Sequence, residues 1–348
     1  MTVDSEIFEQ PEVAARLLRE AGPEIRRVAA RIRRARCRYL VIAARGTSDN
    51  ASVYGQYVLG ARNRLPVALA VPSLVSVYDA PPRFDSAAVI GISQSGASPD
   101  VVAVIDEARA QGRPSVAITD TPDSPLGRAA ELVIDLRAGG EHAVAATKTY
   151  TAELLALAML SVALGGSDPA VDPHLGAVPR AIATALEASE PVRLEAAALA
   201  LLDRNRAFVV GRGFEFATAR ELALKLKELA GLFAEPYSAA DLLHGPLTLV
   251  GEDVLIVVLA PSGHPFEGLQ TLLLRLREST DAPLLVLSDR PEARALGHRA
   301  IDLPGGLEEW LAPITTIVPG QLLALALARA SGRDPERPPL LRKVTLTR

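Results

Sequence analysis

An α/β protein built from two tandem copies of one domain, each a parallel sheet flanked by helices, is what this 348-residue sequence predicts. Three observations carry the prediction: apolar runs that alternate with amphipathic stretches, an internal repeat, and a composition 49% apolar but only 4% aromatic. Apolar mass supplied by Ala, Leu and Val suits helices packed on a buried parallel sheet better than an aromatic-rich β-sandwich. The length exceeds what a single ordinary core serves, so two domains are expected.

Residues 11 to 35 read as helical, with Gly22-Pro23 breaking the run in two. Compact apolar runs ending in Gly, Ser or Asp then place strands at Tyr39 to Ala43, Ala87 to Ile92, Ser115 to Thr119 and Leu132 to Leu136. In the second half the same pattern gives Ala207 to Gly211, Val254 to Leu259, Leu284 to Ser288 and Ala300 to Leu303. The halves superimpose: Gly46 and Gly213, Gly96 and Gly263, and Asp135 and Asp302 are each 167 residues apart. That period is far longer than a solenoid repeat and marks a duplicated domain. The polar stretch Gly165 to Pro191, with a helix over Val178 to Ala188, reads as the connection. Asp334 to Pro339 ends regular structure and leaves a tail, Leu340 to Arg348. The expected boundaries are a helical lead-in over 1–35, a first domain with its linker over 36–190, a second domain over 191–335, and a tail over 336–348 that carries Lys343.

A net charge of −4 gives no general attraction to nucleic acid or anionic membrane, so neither is expected as a partner. The apolar segment Leu154 to Gly165 is too short to span a bilayer and reads as a buried helix. The sole cysteine, Cys37, excludes an internal disulfide and a multi-cysteine metal site, and the histidines lack metal-ligand spacing. No metal or organic cofactor is expected. The chain opens without a basic start followed by an apolar stretch, so a cytoplasmic location is expected.

The strongest local motif is Ser93-Gln94-Ser95-Gly96-Ala97-Ser98-Pro99, which follows a buried strand and opens a helix. Ser98 suits the N-cap and Pro99 the first helical position. Backbone N–H groups and the helix dipole there favour an anion, and the hydroxyls and the Gln94 amide can bond phosphate oxygens. Gly46-Thr47-Ser48 offers a second lip after the first strand, also at a strand's carboxyl end. A Ser/Gly turn that merely caps a helix is the alternative for either loop taken singly. A dinucleotide site fits less well: Gly211-Arg212-Gly213 begins such a fingerprint, but Phe216 stands where a third small residue is needed.

Lysine is rare here. Lys148, Lys225, Lys227 and Lys343 are the four lysines among 37 basic residues, and an ammonium, unlike a guanidinium, can lose its proton and attack a carbonyl. On the helix beginning near Phe216, Glu221, Lys225 and Glu228 fall at i, i+4 and i+7 on one face. Glu228 could carry a proton between neighbouring carbons if enclosed; an exposed ion pair on a solvated face is the alternative. His244 lies in a break between apolar runs, where it could exchange a proton with a ring oxygen. Lys343 lies in the tail and could reach an open-chain sugar carbonyl only if the tail folded back over a pocket.

Together these motifs resemble the sugar isomerase (SIS) family, and within it the isomerase module of glucosamine-6-phosphate synthase and its stand-alone relatives. The resemblance spans almost the whole chain, from Glu6-Ile7-Phe8-Glu9-Gln10-Pro11 through Gly46-Thr47-Ser48, Ser93-Gln94-Ser95-Gly96, Val144-Ala145-Ala146-Thr147-Lys148, Glu221 to Glu228 and His244-Gly245-Pro246 to the Lys343 tail. It implies two tandem SIS-type α-β-α sandwiches. It also implies that Ser48, Ser93, Gln94, Ser95 and Ser98 hold a sugar phosphate, in a substrate site that includes Gly46, Thr47, Val144 and Ala145. Glu228 would be the isomerising glutamate, His244 the ring-opening histidine and Lys343 the Schiff-base lysine, with Glu221 and Lys225 lining the sugar site. A homodimer is implied, its histidine loop able to reach the neighbouring subunit's site.

Two departures stand out: Ala146 where the synthase has a serine, and Arg45 in place of a small residue before Gly46. The sequence also shows no glutaminase domain and no cysteine near Met1, so use of glutamine as ammonia source is not expected. The expected activity is a sugar-phosphate aldose–ketose isomerase coupled to amine loss, taking the phosphorylated amino sugar glucosamine 6-phosphate to fructose 6-phosphate and ammonia. A deglycase acting on a 6-phosphorylated fructosamine would use the same acid–base set. A non-catalytic phosphosugar sensor is a third reading, disfavoured because the roughly 35 residues before the first strand do not suit a DNA-binding helical domain.

Overall fold

Ala87–Ile92 and Val254–Leu259 are buried along their whole length, which requires strands covered on both faces. The computed structural model describes residues 2–187, 192, 195–196, 199, 205–341 and 343. Its strands are β1 Tyr39–Ala43, β2 Val67–Leu69, β3 Ala87–Ile92, β4 Ser115–Thr119, β5 Leu132–Asp135, β6 Arg206–Gly211, β7 Phe233–Ser238, β8 Val254–Leu259, β9 Leu284–Ser288 and β10 Arg299–Asp302. They form two five-stranded sheets, ordered β2-β1-β3-β4-β5 and β10-β9-β8-β6-β7, and every pairing is parallel. The chain divides into two units. One comprises Glu9–His142, Lys148–Gly176 and Arg342–Arg348; the other comprises Met1–Phe8, Ala143–Thr147 and Ala177–Leu341.

In the unit holding the first sheet, side chains alternate between faces. Val41, Ala43, Val89 and Ala117 pack on the helix Pro99–Ala110 through Val101, Val104 and Ile105. Ile42 points the other way, toward the helices Thr47–Asn63 and Lys148–Leu164. Gly55 is required there, because a Cβ would come within 2.9 Å of the Ile42 side chain. The predicted break at Gly22-Pro23 is present, separating the helices Gln10–Glu20 and Gly22–Arg34.

The unit holding the second sheet repeats the plan. Phe208, Val210, Ile256, Val258, Leu284 and Val286 pack with Leu269, Leu272 and Leu273 of the helix Phe266–Ser279. The helix Ala312–Ala330 packs against both Glu215–Lys225 and Val178–Glu187. Together with the turn before it, Ala312–Ala330 is long and apolar enough to cross a membrane, but 89% of that window is buried as core. The predicted linker helix is present over Val178–Glu187; Ala188 and the rest of the linker to Pro191 lie outside the described residues, as do 342 and 344–348 of the tail.

The eight expected strands form, three with ends shifted by one residue. β2 and β7 were not expected. Both are edge strands beside β1 and β6, one of three residues and the other interrupted by Glu235 and Pro236, so neither carries an apolar run. They stand at equivalent places in the two sheets, which extends the repeat.

Candidate functional site

In the first sheet the strand order reverses between β1 and β3, since β2 lies on one side of β1 while β3, β4 and β5 follow on the other. Such a switch point is where open α/β sheets bind ligands. Both predicted anion loops flank it: Gly46-Thr47-Ser48 after β1 and Ser93 to Ser98 after β3. Gly46 has φ +56° and ψ −129°, a conformation essentially closed to residues with a Cβ, and it starts the helix Thr47–Asn63.

The β3 loop is pinned from behind. Gly96 has φ +60°, and a Cβ there would lie 1.9 Å from Ser124 Oγ. Its carbonyl accepts the Leu126 N–H (3.0 Å), and the Gln94 carbonyl accepts the Asp120 N–H and the Thr119 hydroxyl, both at 3.1 Å. Burial pushes the Asp120 carboxyl up to about 6, with Asp135 and Glu141 adding to the rise against its bond from the Ala138 N–H. Gln94, Ser95 and Ser98 are partly exposed. Ser98 occupies the N-cap with extended backbone, yet its side chain caps no helix N–H; its hydroxyl instead lies 3.5 Å from that of Ser93. The loop therefore presents hydroxyls rather than absorbing them into the helix.

Arg45, the departure before Gly46, ties the two loops together. Its Nε donates to Oδ2 of Asp100 at 2.6 Å, and Asp100 is buried in the first turn of the helix after β3. Between the helices Thr47–Asn63 and Lys148–Leu164, the Ser48 hydroxyl donates to Glu153 Oε1 at 2.7 Å, both side chains being buried. Glu153 was missed from sequence. Its signal is that it is the lone carboxylate of the largely buried helix Lys148–Leu164.

Lys148 is buried, its ammonium held by Glu9 (2.6 Å) and the Gly140 carbonyl (3.0 Å). Glu9 and Glu6 belong to the N-terminal motif. Glu6, fully buried, accepts the Ala143 N–H at 3.2 Å and so braces the segment that carries Val144 and Ala145, in which Ala145 is buried and Val144 partly so. Lys343 Nζ lies 3.5 Å from Oε2 of Glu141, a buried carboxylate that also accepts the Thr149 N–H. Glu141 was likewise missed.

In the other unit the predicted helix face is buried. Lys225 and Glu221 are fully buried, and the Lys225 ammonium lies 2.5 Å from Glu228 and 3.4 Å from Glu221. This overturns the exposed-pair alternative: one ammonium here offsets two carboxylates out of water, an arrangement stable only when the charges are paired. Glu228 keeps 21% exposure, so its carboxylate faces both the ammonium and the outside. It sits in a π-helical turn, Leu226–Ala230, closed by Gly231 at φ +62°. Such turns cluster at functional sites. His244 stands on an exposed turn before Gly245, whose φ is +144°.

At the second sheet's own switch point, between β6 and β8, the loop equivalent to Ser93–Gly96 is already filled. Asp289 accepts the Ser262 N–H at 2.7 Å and its hydroxyl at 2.6 Å. Beside it Glu215 is buried; burial pushes its carboxyl up to about 7, with Glu309 adding to the rise against hydrogen bonds from Thr218 and Thr316.

Two parallel sheets in tandem define an α/β protein, and hydroxyl-bearing loops stand at the switch point of the first. The SIS domain model matches residues 34–163 and 200–330, and the chain belongs to that family. It is 34% identical, over 97% of its length, to the glutamine–fructose-6-phosphate aminotransferase (isomerizing) of Pyrococcus horikoshii, and this match covers 56% of that enzyme. The chain thus spans about half the length of the curated relatives it matches. A protein of Silicibacter pomeroyi, assigned provisionally as a phosphosugar isomerase, is 33% identical with a TM-score of 0.83, covering 96% of this chain and 99% of that one. The glucosamine-6-phosphate deaminase of Thermotoga maritima, at 20% identity and a TM-score of 0.72 over 96% and 100% of the chains, shares the fold.

Proposed function

We propose that the chain is a phosphosugar aldose–ketose isomerase that releases an amine, converting glucosamine 6-phosphate and water to fructose 6-phosphate and ammonia. The observation that carries this reading is Glu228, a part-exposed carboxylate fixed by a buried ammonium on a π turn, in a chain whose first switch point is lined with hydroxyls. The loops at Gly46–Ser48 and Ser93–Ser98 hold the phosphate, far from the reacting carbons, so that binding energy orients the sugar. His244 opens the ring. Glu228 takes the proton from C2 and returns it at C1, turning an aldose amine into a ketose imine; water then adds to the imine carbon and ammonia leaves. No redox change occurs. Lys343, steered by Glu141, acts on the open-chain carbonyl.

The same reading carries a homodimer. The turn around His244 exposes Leu243 and Leu249 at 43% and 58%, apolar surface suited to cover by a second copy that would bring the histidine to its neighbour's sugar.

Steady-state assays distinguish the substrates. Ammonia from glucosamine 6-phosphate is expected, together with borohydride trapping at Lys343. Free amino acid from a 6-phosphorylated fructosamine, with no ammonia from glucosamine 6-phosphate, would replace this reading with that of a deglycase.

A further inference from the structure

Ser48 stands at the first turn of the helix Thr47–Asn63, beside the switch point, but its hydrogen is already engaged. The hydroxyl donates to Glu153 Oε1 at 2.7 Å, and Glu153 is fully buried. A serine hydroxyl has one hydrogen and two lone pairs. With the hydrogen directed at a carboxylate, Ser48 turns only lone pairs toward an arriving phosphate, whose oxygens also need donors. Breaking a hydrogen bond made between two buried groups costs free energy, so the phosphate takes that hydrogen only against resistance.

We propose that Glu153 sets the affinity of the phosphate cradle: by holding the Ser48 hydrogen it loosens the grip on a phosphate monoester and leaves the β3 loop to supply most of the binding. This rests on the reading of the switch-point loops as the phosphate site. The consequence is a cradle that releases its ligand readily, which keeps binding energy from being lost in an over-tight ground state. Glutamine at position 153 has nearly the same shape but can donate its amide N–H to Ser48 Oγ, which frees the serine hydrogen for phosphate.

Calorimetric titration of the full chain with inorganic phosphate tests this, using Glu153→Gln, Ser48→Ala, the double variant, and Ser93→Ala as reference. The expected result is that Glu153→Gln binds phosphate about five- to tenfold more tightly, a gain that loss of a structural group would not produce. Adding Ser48→Ala should erase the gain. In the wild-type background Ser48→Ala alone should weaken binding by no more than about twofold, against about tenfold for Ser93→Ala. This comparison decides the matter even if Glu153→Gln fails to fold. Unchanged or weaker binding in a folded Glu153→Gln protein, a gain that survives Ser48→Ala, or a tenfold loss from Ser48→Ala alone would overturn the inference. Unchanged phosphate affinity in Ser93→Ala would overturn the site reading itself, and the inference with it.

Discussion

Lys148 and Lys225, buried to 1% and 0% exposure, show what rare lysine accomplishes in an arginine-rich chain. The Lys148 ammonium is held by one carboxylate and a backbone carbonyl and the Lys225 ammonium by two carboxylates, contacts suited to a compact point charge on a flexible stem. From sequence these residues suggested amine chemistry; in the structure they hold acids in place. Glu215 makes a separate prediction. Its folded pKa of about 7 lies above the ordinary 4.5, so between those values the folded state keeps a proton that the unfolded chain has released. Stability from this group is complete below about pH 4.5 and is lost as pH rises to about 7. Glu215→Gln should therefore be more stable than wild type at pH 8 by on the order of 2 kcal/mol, with the advantage shrinking toward zero in acid. Urea unfolding at both ends of that window checks this, and a pH-independent difference would contradict it.

At the scale of elements, the interior strands and the helix break at Gly22 were legible because each is written as an uninterrupted pattern. The edge strands β2 and β7 were not, since they are held by backbone pairing to β1 and β6 rather than by an apolar run. The π turn at Leu226–Ala230 was equally hidden: an i, i+4, i+7 reading assumes regular α geometry, and nothing in Leu-Lys-Glu-Leu-Ala distinguishes the wider turn. The Ser/Gly loops after β1 and β3 were legible as motifs, but the pinning of the β3 loop was not, because Ser124 and Thr119 meet Gly96 and Gln94 only after folding. That pinning is testable. Gly96→Ala combines an unfavourable positive φ with a clash against Ser124, so it should cost about 2–4 kcal/mol. Phosphate affinity should fall with it, as read by chemical denaturation and titration. A stable variant with intact affinity would show that the loop is free to rearrange.

For the whole molecule, duplication explains the architecture and divergence distinguishes the two switch points. Both sheets have a switch point, yet in the second copy Asp289 occupies the Ser262 loop while in the first copy the equivalent loop presents hydroxyls. The chemistry assigned to the second copy lies elsewhere in it, on the helix face of Glu221, Lys225 and Glu228. Pairings such as Ser48 with Glu153 and Glu141 with Lys343 join residues about 100 and 200 positions apart, and no local pattern announces them. The most direct test of the account is ammonia release from glucosamine 6-phosphate by Glu228→Gln, with inorganic phosphate binding measured on the same sample. A loss of turnover of at least about a hundredfold with phosphate affinity unchanged is the predicted result. Turnover at the wild-type rate would contradict the assignment of the proton shuttle to Glu228.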